Sequence, residues 1–390
     1  MEAGQPIAPV GATARRRWPR RLFIVTCVLV LLGTTTLAVS DLYLRHKISE
    51  IKRVDVPSAS EGGPLEEDTG TVMNVLVVGS DSRANVTGEE AAATGKGRSD
   101  TIGQRSDTIM VLHIDSTQKQ VSLLSIPRDL DVTVAETGQF GRINSAFNDA
   151  SPDEGPTRLI ATVKNELGIS INHYVEVDFV GFKNIVDTLG GVTMYVPTPV
   201  RDVYSNLDIP KGGCVEFDGD TGLAWVRSRY FEYYDGGHWQ YDPRADIGRI
   251  ERQHDFIRRV LGKLSSSNLA NPLRLNALIN DGVKNLTVDK TLSVSDMVKI
   301  ARKFQSLDAD GVAMETLKTE PNYAGGTYLG EKLVQPDAQQ QIDRFNGIAP
   351  AAPPPASAGD AASDAGAVAA ASSTPVTVLP ATTTTTVPAC

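Results

Sequence analysis

Arginine and aspartate recur in this chain in short segments where their spacing could serve phosphate chemistry. In GSDSR, Asp81 and Arg83 stand two apart, and in QRSDT Arg105 and Asp107 repeat that spacing. Residues two apart in an extended chain share a face. Each segment therefore offers one carboxylate and one guanidinium on the same side of a strand end, where α/β proteins commonly bind ligands. Two carboxylates would hold Mg²⁺ through oxygen ligands while the arginines grip phosphate. Taken singly, each segment reads first as a local salt bridge on a loop, and it is the repetition that favours a site.

Three more segments carry the same signal. In SIPRD, Pro127 fixes the backbone after a buried run and aims Arg128, with Asp129 beside it; a solvated strand-end charge is the bland alternative. In AWVRSRY, Arg227 and Arg229 are expected on one face of an extended chain, where a pyrophosphate between them would relieve their repulsion; two exposed arginines in water are the alternative. RADIGRIERQ starts a helix with Asp246 near its cap. At about 100° per residue, Gln253 falls within the apolar stripe of that helix and Arg249 borders it, while Arg252 projects to the other side of Arg249. Polar and cationic groups on an inward face need partners, and helix N-termini favour anions.

Other chemistries find no support in the sequence. There is no GxSxG elbow, HExxH or P-loop, and the five histidines include His113, His173, His238 and His254 without metal-ligand spacing. A formal net charge of −9 argues against nucleic acid as a partner.

These residues need a scaffold, and its outline is readable. Residues 22–40 are uncharged and rich in Leu, Val and Ile, behind Arg15, Arg16, Arg17, Arg20 and Arg21. A run of this length just spans a bilayer core, and the flanking charges leave residues 1–21 as a basic cytoplasmic tail and send the rest outside. A cleaved signal peptide is the competing reading, opposed by the length of the run and the lack of a nearby cleavage site. Residues 41–70 read as a linker, 71–345 as one extracytoplasmic catalytic domain, and 346–390, rich in Ala, Pro, Ser and Thr, as a disordered tail. Within the domain, strands are expected at 72–78, 108–114, 121–126, 174–179 and 192–196, interleaved with helices at 157–167 and 180–189, and followed by helices at 246–264, 272–286 and 293–307. The alternation predicts an α/β fold, three layers α/β/α around a central mixed sheet. Segment 84–104 is expected as a surface loop, and the insert 230–241 is dense in Tyr, Phe and Trp around Gly236 and Gly237. Cys27 lies in the span; a bond between Cys214 and Cys390 is chemically permitted, with free or differently paired thiols as the alternative.

The segments GSDSR, QRSDT, SIPRDL, GRINSAF, VEVDFVGFKNIVDTLGGVTMYVP, AWVRSRY and RADIGRIERQ, in this order over about residues 72–265, resemble the LytR-CpsA-Psr family. The resemblance implies a fold that holds a polyprenyl pyrophosphate, with Mg²⁺ (or Mn²⁺) on the pyrophosphate, and a phosphotransferase that moves a lipid-carried glycopolymer, arabinogalactan or teichoic acid among them, onto peptidoglycan. It also implies Asp81 and Asp107 as metal ligands, and Arg83, Arg105, Arg128, Arg227, Arg229, Arg249 and Gln253 as the pyrophosphate set. Asp246 is then the candidate base for the acceptor hydroxyl, beside Arg128 and Arg249 in the catalytic group. Two departures stand out: the insert before Arg105, and the aromatic insert, which is readable as a lid or as a lipid or sugar contact. Hydrolysis by a pyrophosphatase and a non-catalytic membrane-anchored scaffold are the alternative functions.

Overall fold

The apolar runs of the first half pair as the middle of one sheet. The computed structural model describes residues 51–57, 72–80, 106–115, 120–147, 153–266, 286–293, 296–297, 300, 311–347 and 390, all belonging to the unit Ile51–Cys390. Seven strands, β1 (Lys52–Val54), β2 (Val72–Ser80), β3 (Ser106–Asp115), β4 (Gln120–Ile126), β7 (His173–Asp178), β14 (Leu286–Asp289) and β15 (Val312–Thr316), lie in the order β1-β14-β7-β2-β3-β4-β15. β2 runs antiparallel to β3 and parallel to β7, so the sheet is mixed. Smaller pairings surround it: β5 (Asp131–Thr133) with β6 (Phe140–Arg142), β16 (Thr319–Ala324) with β17 (Thr327–Leu333), and β8 (Val192–Val196) with β11 (Gly213–Phe217). β9 (Val200–Asp202), β10 (Leu207–Ile209), β12 (Glu232–Asp235) and β13 (His238–Tyr241) form a further sheet in the order β10-β9-β12-β13.

Strand alternation divides the core into two faces. Leu76, Val78, Ile109, Val111, Leu124 and Ile126 pack with Leu159, Ile160 and Val163 of helix α1 (Glu154–Leu167). Met73, Val75, Met110, Leu112 and Leu123 face the other way, against Ile257 and Leu261. Those last two belong to the long helix that follows α2 (Phe179–Thr188) and α3 (Gly219–Arg227), namely α4 (Ala245–Ser266); α5 (Asp337–Phe345) closes the first face with Ile342 and Phe345. Helices thus cover both faces of the sheet. Asp178 caps α2 by accepting from the Gly181 amide at 2.7 Å, and Asp218 caps α3 through Thr221 at 2.8 Å. α3 approaches α4 closely enough that a Cβ on Gly222 would meet the Phe256 ring at 3.0 Å.

Several expectations change. Residues 41–70 are not all linker: β1 pairs in parallel with β14, and Ile51, Val54 and Val56 are buried. The strand was hidden because its other residues, Lys52 and Arg53, are charged, yet Arg53 spends its guanidinium on the carbonyls of Asp289 and Leu292. The run 192–196 is a strand, but it pairs with β11 and lies outside the central sheet. The AWVR part of AWVRSRY is not extended. The Asp218 cap and the apolar spacing of Leu223 and Val226 wind it into α3, which ends at Arg227. The aromatic insert is a hairpin whose turn uses Gly236 and Gly237 at φ +57° and +89°. Cys214, on β11, is disulfide-bonded to Cys390, Cα atoms 5.7 Å apart. The expected span 22–40, the loop 84–104, the helix 272–286 up to Leu286 (itself in β14), most of the helix 293–307 and the tail 348–389 lie outside the described residues. Among the described residues no helix is long and apolar enough to cross a membrane.

Two residues show what holds the frame. Asp289, at the end of β14, accepts from the amides of Tyr174, Thr291 and Leu292 at 3.0, 2.8 and 2.9 Å and contacts His173 at 3.2 Å. Burial raises its carboxyl, but the hydrogen bonds from His173, Thr291 and Tyr174 prevail and bring it down to about 2. Since an unfolded aspartate titrates near 3.9, this stabilisation is complete above that value and is lost as pH falls through it toward 2. Asp289→Ala should cost about 2–3 kcal/mol at pH 7 and flatten the acid limb of stability between roughly pH 4 and 2, read by denaturant unfolding across pH. Gly191 turns the chain from α2 into β8 at φ +74°, with the Phe217 carbonyl oxygen 2.8 Å from where a Cβ would sit. Gly191→Ala should lower stability by about 2 kcal/mol, measured in the same way.

Candidate functional site

Between one end of β2 and β3 and the helices α2, α3 and α4 lies a cavity of about 380 Å³. Its depth is apolar, formed by Val77, Met110, Phe182, Leu223, Phe256 and Ile257. The charged part of its lining consists of Asp107, Arg128, Arg227, Arg229 and Arg249, beside Gln253, together with the two acids Asp178 and Asp202. Both of those acids serve backbone amides: Asp178 caps α2 and Asp202 pins the chain after α3. Cationic side chains therefore dominate the polar end, and greasy ones the interior.

Each cation is held by its element. Arg128 follows β4 in a turn closed by the Leu130 amide on the Pro127 carbonyl at 3.0 Å and by the Asn144 amide on its own carbonyl at 3.1 Å. Its guanidinium pairs with Asp107 and lies 3.7 Å from Asp129 and 3.8 Å from Asp246. Arg249, only 3% exposed, donates to the Asp107 carbonyl at 2.7 Å and meets Asp246 at 2.8 Å. Gln253, one turn on, donates to Thr108 Oγ1 and to the Val226 carbonyl, both at 3.0 Å. α4 thereby ties β3 to α3. Just before Asp246, Ala245 has φ +43°, strained for a residue with a Cβ.

Arg227 and Arg229 leave the end of α3 in different directions. Arg227 sits over the Phe179 ring at 4.2 Å, whereas Arg229 reaches Asp246 at 3.5 Å and Asp129 at 3.8 Å. Arg252, on the far side of α4, donates to the Ser228 carbonyl at 2.6 Å, stacks on Phe231 at 4.3 Å and meets Asp242 at 3.5 Å. Burial pulls the Arg252 guanidinium down to about 10. It is a clamp on the segment that carries Arg229.

The electrostatics are tight. Burial opposes the Arg128 charge, but Asp107, Asp129 and Asp246 outweigh it and hold the group above its ordinary value. Burial pushes Arg249 below its ordinary value, against Asp246 and Asp107 and with help from Arg128 and Arg229. Although Arg249 and Asp246 are at ion-pair distance, the N–H vectors miss: among the described residues, both Asp246 oxygens and the Nε atoms of Arg128, Arg229 and Arg249 are buried without a hydrogen-bond partner. Such groups cost free energy until satisfied. A multivalent oxyanion supplies several acceptors at once. Of the three described carboxylates in the cavity wall, Asp178 and Asp202 are taken up by backbone amides, which leaves Asp107, with a side chain 30% exposed, as the candidate for a divalent cation; among the described residues no three acidic, His or Cys side chains gather. That donor set suits Mg²⁺, which binds through one or two carboxylates plus phosphate oxygens and water.

Of the expected site residues, Asp107, Arg128, Arg227, Arg229, Asp246, Arg249 and Gln253 come together here. Asp81, Arg83 and Arg105 lie outside the described residues. The sequence signals give no role to Asp129, which meets Arg128, Arg142 and Arg229, or to Asp202, and they only place Arg252 on the other side of Arg249. Asp202 carries a turn signal, two residues before Tyr204. Its bonds to residues 228–230 have no local signature.

The model of the LytR_cpsA_psr family matches residues 42–345. The chain is 35% identical over 69% of its length to the probable cell wall biosynthesis protein LcpB of Corynebacterium glutamicum, covering 58% of that protein. It is 31% identical over 53% of its length to the polyisoprenyl-teichoic acid–peptidoglycan teichoic acid transferase TagV of Bacillus subtilis, covering 52% of it. The chain thus spans little more than half the length of these curated relatives. Among solved structures, the LytR-Csp2A-Psr enzyme from Actinomyces oris superposes with a TM-score of 0.57 at 23% identity, over 76% of this chain and 95% of that one, and so shares the fold. With the family pattern matched across the sheet, the cavity and the helix that carries Asp246, Arg249 and Gln253, this chain belongs to the LytR-CpsA-Psr family.

Proposed function

We propose that this protein is a phosphotransferase that moves a glycopolymer from a polyprenyl pyrophosphate carrier onto peptidoglycan. One observation carries the reading: an apolar cavity ends in arginines, of which Arg128, Arg229 and Arg249 have buried Nε donors without a hydrogen-bond partner among the described residues. A prenyl chain fits the apolar interior, and two linked phosphates fit the guanidiniums. The printed names of the relatives point the same way, TagV being a polyisoprenyl-teichoic acid–peptidoglycan teichoic acid transferase.

In the proposed reaction, an acceptor sugar hydroxyl attacks the phosphorus next to the glycan. The new P–O bond forms as the bond to the bridging oxygen breaks, and the electron pair leaves with polyprenyl phosphate. Asp246, whose carboxylate oxygens accept no hydrogen bond among the described residues, takes the hydroxyl proton. Arg128, Arg229 and Arg249 stabilise the charge on the transferring phosphate, the main task in phosphoryl transfer. Asp107 and Asp81 would hold Mg²⁺ or Mn²⁺, which supplies further neutralisation of the pyrophosphate when bound, and Arg83 and Arg105 would bind the pyrophosphate itself. Residues 22–40 serve in this reading as a single membrane-spanning helix that keeps residues 1–21 in the cytoplasm and the enzyme beside its lipid substrate; their uncharged sequence and the arginines before them support it.

The full-length chain in detergent, given a polyprenyl pyrophosphate-linked glycan and peptidoglycan fragments, should release polyprenyl phosphate and form a phosphodiester-linked product. Arg128→Ala and Asp246→Asn should each reduce that rate by about 10²–10³-fold. Equal rates for all three proteins would remove the site from the reaction, and release without a linked product would make the enzyme a pyrophosphatase.

A further inference from the structure

At the edge of the arginine cluster stand two tyrosines with no evident structural reason to be exposed. Tyr204 and Tyr230 are 71% and 51% exposed, yet both line the cavity. Their ring centroids are 4.5 Å apart at an interplanar angle of 45°, which joins them into one angled aromatic surface. Scattered exposed aromatics are ordinary; a touching pair on the rim of a ligand cavity is not.

The pair is also rigidly mounted. Asp202, 1% exposed, accepts from the Tyr204 amide at 2.9 Å and the Ser205 amide at 3.3 Å through Oδ1. Through Oδ2 it accepts from Ser228 Oγ at 2.7 Å and from the amides of Arg229 and Tyr230, each at 2.9 Å. One buried carboxylate thus fixes both tyrosine backbones and that of Arg229. Hydrogen bonds to its ionised form overcome burial and hold Asp202 below its ordinary value. Fixing a surface before a ligand arrives removes part of the ordering cost of binding.

We infer that Tyr204 and Tyr230 form a saccharide subsite for the first sugar of the donor, the ring attached to the pyrophosphate. The inference rests on the phosphotransferase reading, which places the lipid in the apolar interior and the pyrophosphate on the arginines. Whatever is bonded to that pyrophosphate next to Arg229 meets these rings. The C–H face of a pyranose is apolar and weakly electropositive, and it complements the electron-rich face of an aromatic ring. Asp202 acts as a positioning residue, since both its oxygens are engaged by the chain at Tyr204, Ser205 and residues 228–230 and so keep Arg229 and the platform in register.

The test is calorimetric titration of the full-length chain in detergent with two ligands: geranylgeranyl pyrophosphate, and the same pyrophosphate bearing N-acetylglucosamine. Wild type should bind the sugar-bearing ligand more tightly, and the double variant Tyr204→Ala/Tyr230→Ala should lower the ratio of the two affinities by about tenfold. The double variant Tyr204→Phe/Tyr230→Phe keeps the rings and should keep the ratio, which separates stacking from loss of fold. An unchanged ratio in the alanine variant overturns the subsite, and equal weakening of both ligands assigns the tyrosines to lipid or detergent instead. Failure of wild type to bind either ligand would instead refute the phosphotransferase reading on which the subsite depends.

Discussion

Arg128, Arg229 and Arg249 converge on Asp246 at 3.8, 3.5 and 2.8 Å, and Asp129 takes further contacts from Arg128 and Arg229. Charges about 4 Å apart near a protein surface interact by about 4 kcal/mol, so this crowding is stable only because carboxylates and cations alternate and the frame prevents them from moving apart. The frame comes from three directions: β3 delivers Asp107, the turn after β4 delivers Arg128, and α4 delivers Asp246 and Arg249 from across the cavity. Crosslinks between these elements, such as Arg249 on the Asp107 carbonyl and Gln253 on Thr108 and Val226, fix their relative positions.

The same arrangement explains the apolar interior beside the charges. α4 presents Ile257 and Leu261 to the sheet, buries Phe256 against α2 and α3, and turns Arg249 and Gln253 toward the end of β3. One helix thus supplies both the greasy wall and the polar rim. A ligand with a hydrocarbon chain and a multivalent anionic head matches that split, whereas a wholly polar or wholly apolar ligand would leave one half unsatisfied.

Much of this was legible in the sequence because it rests on local patterns. The apolar runs of β2, β3 and β4 and the stripe of α4 are periodic over many residues, so the sheet, the helix and the inward placement of Arg249 and Gln253 followed from spacing. AWVRSRY was misread because its Trp, Val and Tyr suit a strand, while the signal for a helix, the Asp218 cap, stands several residues earlier. β1 was missed because a short strand on the sheet edge carries too few apolar residues to stand out. Asp129 and Asp202 owe their roles to partners far away in the chain, and a sequence read one segment at a time holds no trace of those pairings.

The central claim is that the arginine cluster seats a pyrophosphate rather than merely bracing the fold. Its most direct measurement is titration calorimetry of the full-length chain with geranylgeranyl pyrophosphate, geranylgeranyl monophosphate and geranylgeraniol, at low and high salt. A pyrophosphate seat requires the diphosphate to bind about 10²-fold more tightly than the alcohol, with the monophosphate between them and the preference shrinking as salt rises. Equal affinity for all three, indifferent to salt, would mean that the cavity recognises only the hydrocarbon and that the arginines serve structure alone.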